Sequence, residues 1–338
     1  MLKCYGFIAV LLSFAFPLTA QIEESILPLL DAIYLHGFQR KITPQQRTYL
    51  QYATQYQHQK LRVVTYNMLY NIQAAEDKLP AKHRWSSRKL RLLEYLAFTK
   101  ADIIGSQELQ EDQLQELQDI LRANYSCYGV RTREKEGRTD INAIFFNPHR
   151  LELIDSKTIF YQEKSGENGF TYCYFRDKLL NKKFSVINTK LTWGLTWGAL
   201  KKREAEAKEL SQYVRFLPSN EPIVVLGDFN TIPLLDGMFI EKILTKYHLR
   251  DAKSQSIFEH CGPSCSLTHS NILLTPFTGP ELRGFILDHI FINDCATAFV
   301  HGIDTAKVNG EFPSDHFPVV TDLFLNDNND NNDGKKRP

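Results

Sequence analysis

The sequence predicts one α/β domain between Leu61 and Leu325. Two observations carry that expectation. Runs of β-branched and aromatic residues alternate with segments whose apolar residues recur every three or four positions, and no Pro/Gly-rich linker interrupts the alternation. The apolar runs also tend to end in Asn, Asp, Glu or Lys, and α/β folds gather their ligand-binding groups at strand ends.

At 338 residues, 43% hydrophobic and 12% aromatic, the chain has ample material for a packed core. Its 40 Lys and Arg against 39 Asp and Glu exclude the bulk basic field of a dedicated nucleic-acid binder, so any polyanion site must be local. Residues 1–20 carry Lys3, an apolar run from Phe7 to Phe16 and then Pro17-Leu18-Thr19-Ala20, the layout of a secretory signal cut near Ala20. That run is too short to span a bilayer, and a retained N-terminal anchor is the rival reading. No other segment approaches transmembrane length, so the mature chain is expected to be soluble and exported, either periplasmic or secreted. Of the six cysteines, Cys4 leaves with the signal. Cys261 and Cys265, in HCGPSCSLTHS, close a small loop for which an oxidising compartment favours a local disulfide. A zinc site with His260 and His269 is the alternative, though its spacing matches no recognised knuckle. Cys127, Cys173 and Cys295 sit in apolar, strand-like surroundings and read as buried thiols.

Residues 21–60 read as a helical extension, with Ile22, Ile26, Leu29, Leu30 and Ile33 on one face, which either packs on the domain or meets a partner. The domain opens with LRVVTYN, ending at Asn67. A helix from about Ser87 places Leu90, Leu93 and Ala97 along one stripe, and ADIIGSQE is a short strand ending at Glu108. A second amphipathic helix runs from Asp112 to Leu121. Strands follow at 141–146, 151–160, 171–176 and 184–191, the last two joined by a turn around Asn181. The helix from Ala199 to Phe216, with Arg203, Ala207, Leu210 and Val214 in register, feeds IVVLGDFN at 223–230. There, period two aims Asp228 and Asn230 to the same side. A helix at 234–247 and strands at 285–292 and 319–324 complete the domain, and residues 326–338 lack apolar side chains and read as a disordered tail.

Asn67, Glu108, Lys190, the Asp228/Asn230 pair, Asp288 and the Asp315-His316 of PSDHFPVV thus form a candidate constellation. A lone Asn at a strand end is usually a turn residue and a lone Asp-His a surface loop, but coincidence of all of them is much rarer. The set suits phosphate-ester hydrolysis. Carboxylates with an amide hold a hard divalent ion such as Mg²⁺, an Asp orients or deprotonates water, and His and Asn donate to the charge building on phosphorus. No Ser or Cys nucleophile motif is present, so no covalent mechanism is suggested.

With VVTYN, DIIGSQE, NTKL followed by Arg203, GDFN, LDHIFI and SDHFP in this order, the chain resembles the endonuclease/exonuclease/phosphatase superfamily, in its secreted bacterial form, over nearly the whole of 61–325. The resemblance implies a DNase I-like four-layer α/β sandwich, two packed mixed β-sheets flanked by helices. It implies Glu108 as principal metal ligand supported by Asn67 and Asp315, with Mg²⁺ or Mn²⁺ as the ion. Asp228 would activate water and Asn230 hold it or the phosphate. His316 would contact the scissile phosphate, its tautomer fixed by Asp288. Arg203 would brace the cleft or meet substrate. HRWSSRK resembles the Trp-x-x-Arg entry of deadenylase-like and secreted branches, giving Trp85 and Arg88 either a substrate contact or a buried helix-cap role. Two departures stand out: Lys190 where relatives carry His, and Asn142 of TDINAIFF where they often carry Gly. A Lys supplies charge and hydrogen bonds but is a poor proton shuttle near neutral pH.

Trp193 and Trp197 in WGLTWGAL follow Lys190 directly, and Gly194 and Gly198 argue that at least one is exposed, to stack on bases or sugars or to dip into a membrane surface. The expected substrate is therefore a phosphodiester, nucleic acid ahead of phospholipid or inositol phosphate. A secreted binding protein on the same fold is the rival, motivated by Lys190 and the N-terminal helices.

Overall fold

The computed structural model describes residues 22–23, 25–27, 51, 55, 57–129, 140–162, 168–232, 235–236, 238–268 and 285–326. The expected signal, most of the helical extension and the tail beyond residue 326 lie outside them. The strands are β1 (Ile22–Glu23), β2 (Leu61–Asn67), β3 (Ile103–Gln107), β4 (Ser126–Tyr128), β5 (Ile144–Phe146), β6 (Leu151–Phe160) and β7 (Gly169–Asp177). They continue with β8 (Lys182–Lys190), β9 (Ile223–Asp228), β10 (Arg250–Asp251), β11 (Asp288–Ile292), β12 (Ala296–Ile303), β13 (Lys307–Val308) and β14 (Val319–Leu325). The helices are α1 (Gln73–Glu76), α2 (Trp85–Thr99), α3 (Glu111–Leu121), α4 (Trp197–Val214), α5 (Met238–Thr245) and α6 (Ala252–Gln255). No helix among the described residues is long and apolar enough to cross a membrane.

Two mixed six-stranded sheets form the centre, ordered β12-β14-β2-β3-β5-β4 and β10-β11-β9-β8-β7-β6. Strand periodicity divides their side chains among three apolar layers. Val63 and Ile103 of one sheet meet Phe175, Val224 and Leu226 of the other between the sheets. Their sequence neighbours Val64 and Ile104 face outward onto Leu92, Leu96 and Leu117 of α2 and α3. On the far side Ile187 and Val225 meet Ala207, Leu210 and Leu244 of α4 and α5. Central strands covered on both faces must be apolar at nearly every position, as LRVVTYN and IVVLGD are. This is the four-layer sandwich expected.

The sheets approach closely at Gly105, where a Cβ would fall 1.9 Å from Leu226 Cδ1 and 2.9 Å from Asn188 Oδ1. Asn188 of β8 uses that space to tie the sheets together. Its Oδ1 accepts from Gln107 Nε2 at 2.6 Å, and its Nδ2 donates to the carbonyls of Ser106 at 2.8 Å and Ala143 at 2.9 Å. A second tie closes the outer layer: β1 pairs antiparallel with β13, Ser25 Oγ and the Ile26 amide donate to the Asp304 carboxylate, and Leu27 joins the core. Residues 22–27 therefore pack on the domain.

Local differences from the sequence reading have identifiable causes. The buried stripe of α2 is Leu92, Leu93, Tyr95, Leu96 and Thr99, so Leu90 and Ala97 face solvent. The strand expected at 141–146 begins at Ile144, with Ile141 bridged instead to Leu109. The run 223–230 stops pairing at Asp228 because Asn230 turns to φ +50° and its amide donates to Asp228 Oδ1 at 3.0 Å. The helix expected at 234–247 is reduced to α5, and the strand expected from residue 285 starts at Asp288. The Cys261–Cys265 disulfide is not formed. Cys261 Sγ lies toward the Glu259 carbonyl and Cys265 Sγ toward that of Leu267, because the Cys261 backbone is held on the β12 edge by Gly302 and Ile303. Of the alternative zinc ligands, His260 bonds His301 Nδ1 at 2.9 Å, and His269 lies outside the described residues. Cys173 and Cys295 are buried and Cys127 half-buried.

Replacing Asn188 by Ala should strip the Ser106 carbonyl of this donor and take one bond each from Gln107 Nε2, which keeps Thr65 and Gly105, and from the Ala143 carbonyl, which keeps Ser106, costing about 2 kcal/mol in urea unfolding; a change below about 0.5 kcal/mol would remove Asn188 from this role. Deleting residues 22–27 should lower the melting temperature by roughly 5 °C or more, measured by calorimetry.

Candidate active site

One rim of the sandwich collects the ends of β2, β3, β8 and β9 and the start of β11. Parallel pairing sets Asn67 beside Gln107 and Lys190 beside Asp228, while antiparallel pairing sets Asp288 opposite Asp228. Gly227 permits this crowding: a Cβ there would stand 1.9 Å from the Thr189 carbonyl oxygen. Glu108 continues past β3 at φ +66°, in the left-handed region, which turns it out of the strand line into the rim. The segment holding Asp315 and His316 is pinned to the same rim by Ser314 Oγ, which donates to the Asn67 carbonyl at 2.7 Å.

At the centre of this rim is a chain of four side chains. Asp288 Oδ2 lies 2.8 Å from His316 Nδ1, while Asp288 Oδ1 is buried with no partner among the described residues. Asn67 Nδ2 donates to Asp228 Oδ2 at 3.0 Å and stands 3.5 Å from His316 Nε2. Asn230 completes the cradle, its Nδ2 reaching Asp228 Oδ2 at 3.2 Å and the Leu191 carbonyl at 2.9 Å. Burial pushes the Asp228 carboxyl up to about 7, with the Asp288 carboxylate adding to the rise and the His316 and Lys190 cations opposing it. For His316, burial works against the charged ring, but Asp288, then Asp228 and Asp315, outweigh it and hold the imidazole well above its ordinary range. A buried carboxyl that ionises near neutrality beside a persistently cationic imidazole is a pairing suited to moving one proton while a neighbouring negative charge develops.

Lys190 is also in the rim, 5% exposed, with Nζ 2.7 Å from Glu108 Oε1 and 3.1 Å from Asp140 Oδ2. The remaining expected residues are spread around it. Arg88 does not face the cleft: it is fully buried and donates to the carbonyls of Met68, Leu69 and Tyr70, and its guanidinium lies 5.0 Å from the Trp85 ring centre. A substrate contact there is replaced by a brace on the loop that follows Asn67. Arg203 is likewise fully buried, bonded to Asp236 Oδ2 at 2.5 Å and to the Thr192 and Gly194 carbonyls, so it fixes the loop carrying Trp193 and is not presented to a substrate. Asn142 donates to the Gly169 carbonyl at 3.0 Å and is buried. Trp193 and Trp197 are 50% and 72% exposed; Trp197 opens α4, which Thr196 caps by accepting from the Ala199 amide. Asp140 escaped the sequence reading although it lies two residues before Asn142 in TDINAIFF. Nothing local marks it, because its partner Lys190 is fifty residues away.

Glu108, Asn67 and Asp315 carry hard oxygen donors of the kind a divalent ion takes, and Lys190 already places a positive charge against Glu108. Asp228, Asp288 and His316 additionally offer three ligand atoms within 4.8 Å of one another.

A family model described as Endonuclease/Exonuclease/phosphatase family matches residues 64–316. Protein angel of Drosophila melanogaster is 28% identical over 172 residues, 48% of each chain, so the chain spans about half the length of this curated relative. Among solved structures, an endonuclease/exonuclease/phosphatase from Bacteroides vulgatus superposes with a TM-score of 0.65 at 23% identity, covering 79% of this chain and 99% of that one. A mannosyl-6-phosphatase from Bacteroides thetaiotaomicron does so with a TM-score of 0.65 at 19% identity, covering 78% and 99%.

Because the Asp228 carboxyl is raised in the fold, ionising it costs stability. The cost is absent below its unfolded value near 4, grows as pH rises, and is complete above about 7. In chelator-treated protein, Asp228→Asn should therefore raise the melting temperature above pH 7 and leave it nearly unchanged near pH 4; an equal shift at both would assign the strain elsewhere.

Proposed function

Since the chain belongs to the endonuclease/exonuclease/phosphatase family, whose members are hydrolases acting on phosphoester bonds, we propose that it is an exported, Mg²⁺-dependent phosphodiesterase. It hydrolyses nucleic acid or a similar phosphodiester by in-line attack of water. The observation that carries the reading is the Asp228–Asn67–His316–Asp288 chain of buried side chains.

In this reading Asp228, held on both oxygens by Asn230 and on one by Asn67, accepts the proton of the attacking water. The carboxyl is buried and raised toward neutrality, so it is a competent base where an exposed Asp would be too weak. His316, kept cationic and oriented by Asp288, donates its Nε2 hydrogen to a phosphoryl oxygen as charge builds there. Glu108, Asn67 and Asp315 are the residues that would hold Mg²⁺ or Mn²⁺, and the bound ion would supply charge neutralisation at phosphorus and at the leaving oxygen. Trp193 and Trp197 stand exposed just past Lys190 and in this reading would stack on a base or sugar of the substrate. The same pair would serve a membrane-surface contact if the substrate were a phospholipid.

The test is a panel of single-stranded DNA, RNA, sphingomyelin, inositol phosphates, a sugar phosphate and an aryl phosphodiester, with Mg²⁺, with Mn²⁺ and with chelator. Turnover of a diester that chelator abolishes is expected, with His316→Ala reducing kcat about 10³-fold or more at an unchanged far-UV spectrum. A folded protein inactive on the whole panel would leave the binding-protein reading in its place.

A further inference from the structure

Of the two residues that depart from the family pattern, Lys190 has contacts that phosphoester hydrolysis by Asp228 and His316 does not account for. Lys190 leaves the end of β8 beside Asp228, yet its ammonium is directed at Glu108 and Asp140, which it contacts together. All three side chains are largely removed from water: 7% exposed for Lys190, 12% for Glu108 and 14% for Asp140. A charge in such a place needs a compensating partner, and here two carboxylates meet one ammonium. Glu108 reaches the pair from a left-handed backbone position just past β3, and Asp140 arrives from the adjoining segment ahead of β5, which the Leu109–Ile141 bridge holds alongside. The contact is thus built from three separate segments.

We infer that Lys190 and a divalent cation are alternative partners of Glu108, and that Asp140 is a positioning residue which retains the Lys190 ammonium in the site when Glu108 turns to the ion. This rests on the assignment of Glu108 as a metal ligand. The chemistry is that of cation exchange: an ammonium 2.7 Å from a carboxylate oxygen opposes any second cation at that oxygen. A chain with an uncharged side chain at this position would lack the competitor. Lys190 thereby sets how much metal the protein needs, and Asp140 sets where the displaced charge remains, next to the rim where a phosphate would lie.

The experiment is calorimetric titration of the mature, metal-stripped protein with Mn²⁺ alone, in a double-mutant cycle over Lys190→Met and Asp140→Asn, with Lys190→Gln carried in parallel in case the methionine variant does not fold. Removing the ammonium should tighten Mn²⁺ binding about tenfold or more. Asp140→Asn should weaken binding several-fold when Lys190 is present and change it by less than about twofold when it is absent, since its effect passes through the lysine. Unchanged affinity in the Lys190 variants overturns the competition, and an equal Asp140→Asn effect in both backgrounds overturns the positioning role while leaving the phosphoesterase reading intact. Absence of Mn²⁺ binding in the wild type and in every variant instead overturns the metal assignment on which both stand.

Discussion

The architecture turns on a polar contact inside an apolar layer. Two sheets packed face to face can slide or rotate as long as only apolar groups meet, because dispersion and burial are nearly indifferent to small displacements. Asn188 removes that freedom. One amide bonds Gln107, Ser106 and Ala143 of the opposing sheet at the point where Gly105 lets the layers touch. Two residues further along β8 is Lys190, and two residues beyond the Ser106 carbonyl is Glu108. The lock that sets the sheets in register therefore also sets the distance across the candidate site.

From that lock outward, rigidity is handed on by buried arginines. Arg88 holds the carbonyls behind Asn67, and Arg203 holds those behind Lys190 and Trp193. Each converts a loop that would otherwise sample many conformations into a fixed support, which a site relying on placement requires. Asp288 and His316 obey the same rule from the other side: the imidazole is oriented by a strand residue whose own position is fixed by pairing with Asp228. Burying Asp228 is destabilising, and the neighbouring Asp288 carboxylate adds to it: together they push the Asp228 carboxyl up to about 7.

Much of this was readable in the sequence for a simple reason. Strands covered on both faces are apolar throughout, so an Asn, Asp or Glu at the end of such a run is conspicuous. The ends at Asn67, Glu108, Asp228 and Asp288 could be found by that contrast, and the order of the motifs supplied the four layers that periodicity alone did not. β12 was missed because Ala296, His301 and Gly302 dilute its pattern. For Arg88 and Arg203 the sequence left a brace and a substrate contact side by side, because a basic residue on an amphipathic helix looks the same whether it braces main chain or meets a phosphate; both brace main chain. Asp140 and Asn188 were illegible in their roles, since each takes its meaning from a partner forty-five or more residues away. The cysteine pair misled because loop size suggested a bond that docking of the Cys261 backbone on β12 prevents.

The tie between residues 22–27 and Asp304 joins positions 279 apart in the chain. During synthesis residues 22–27 must wait for Asp304, on the order of tens of seconds at ordinary elongation rates. Until Asp304 and β13 appear, Ile22 has no strand to pair with, and Ser25 and the Ile26 amide lack the carboxylate they bind. Among the described contacts this one spans nearly the whole domain, so its loop-closure cost is met only after the rest of the sandwich has been made.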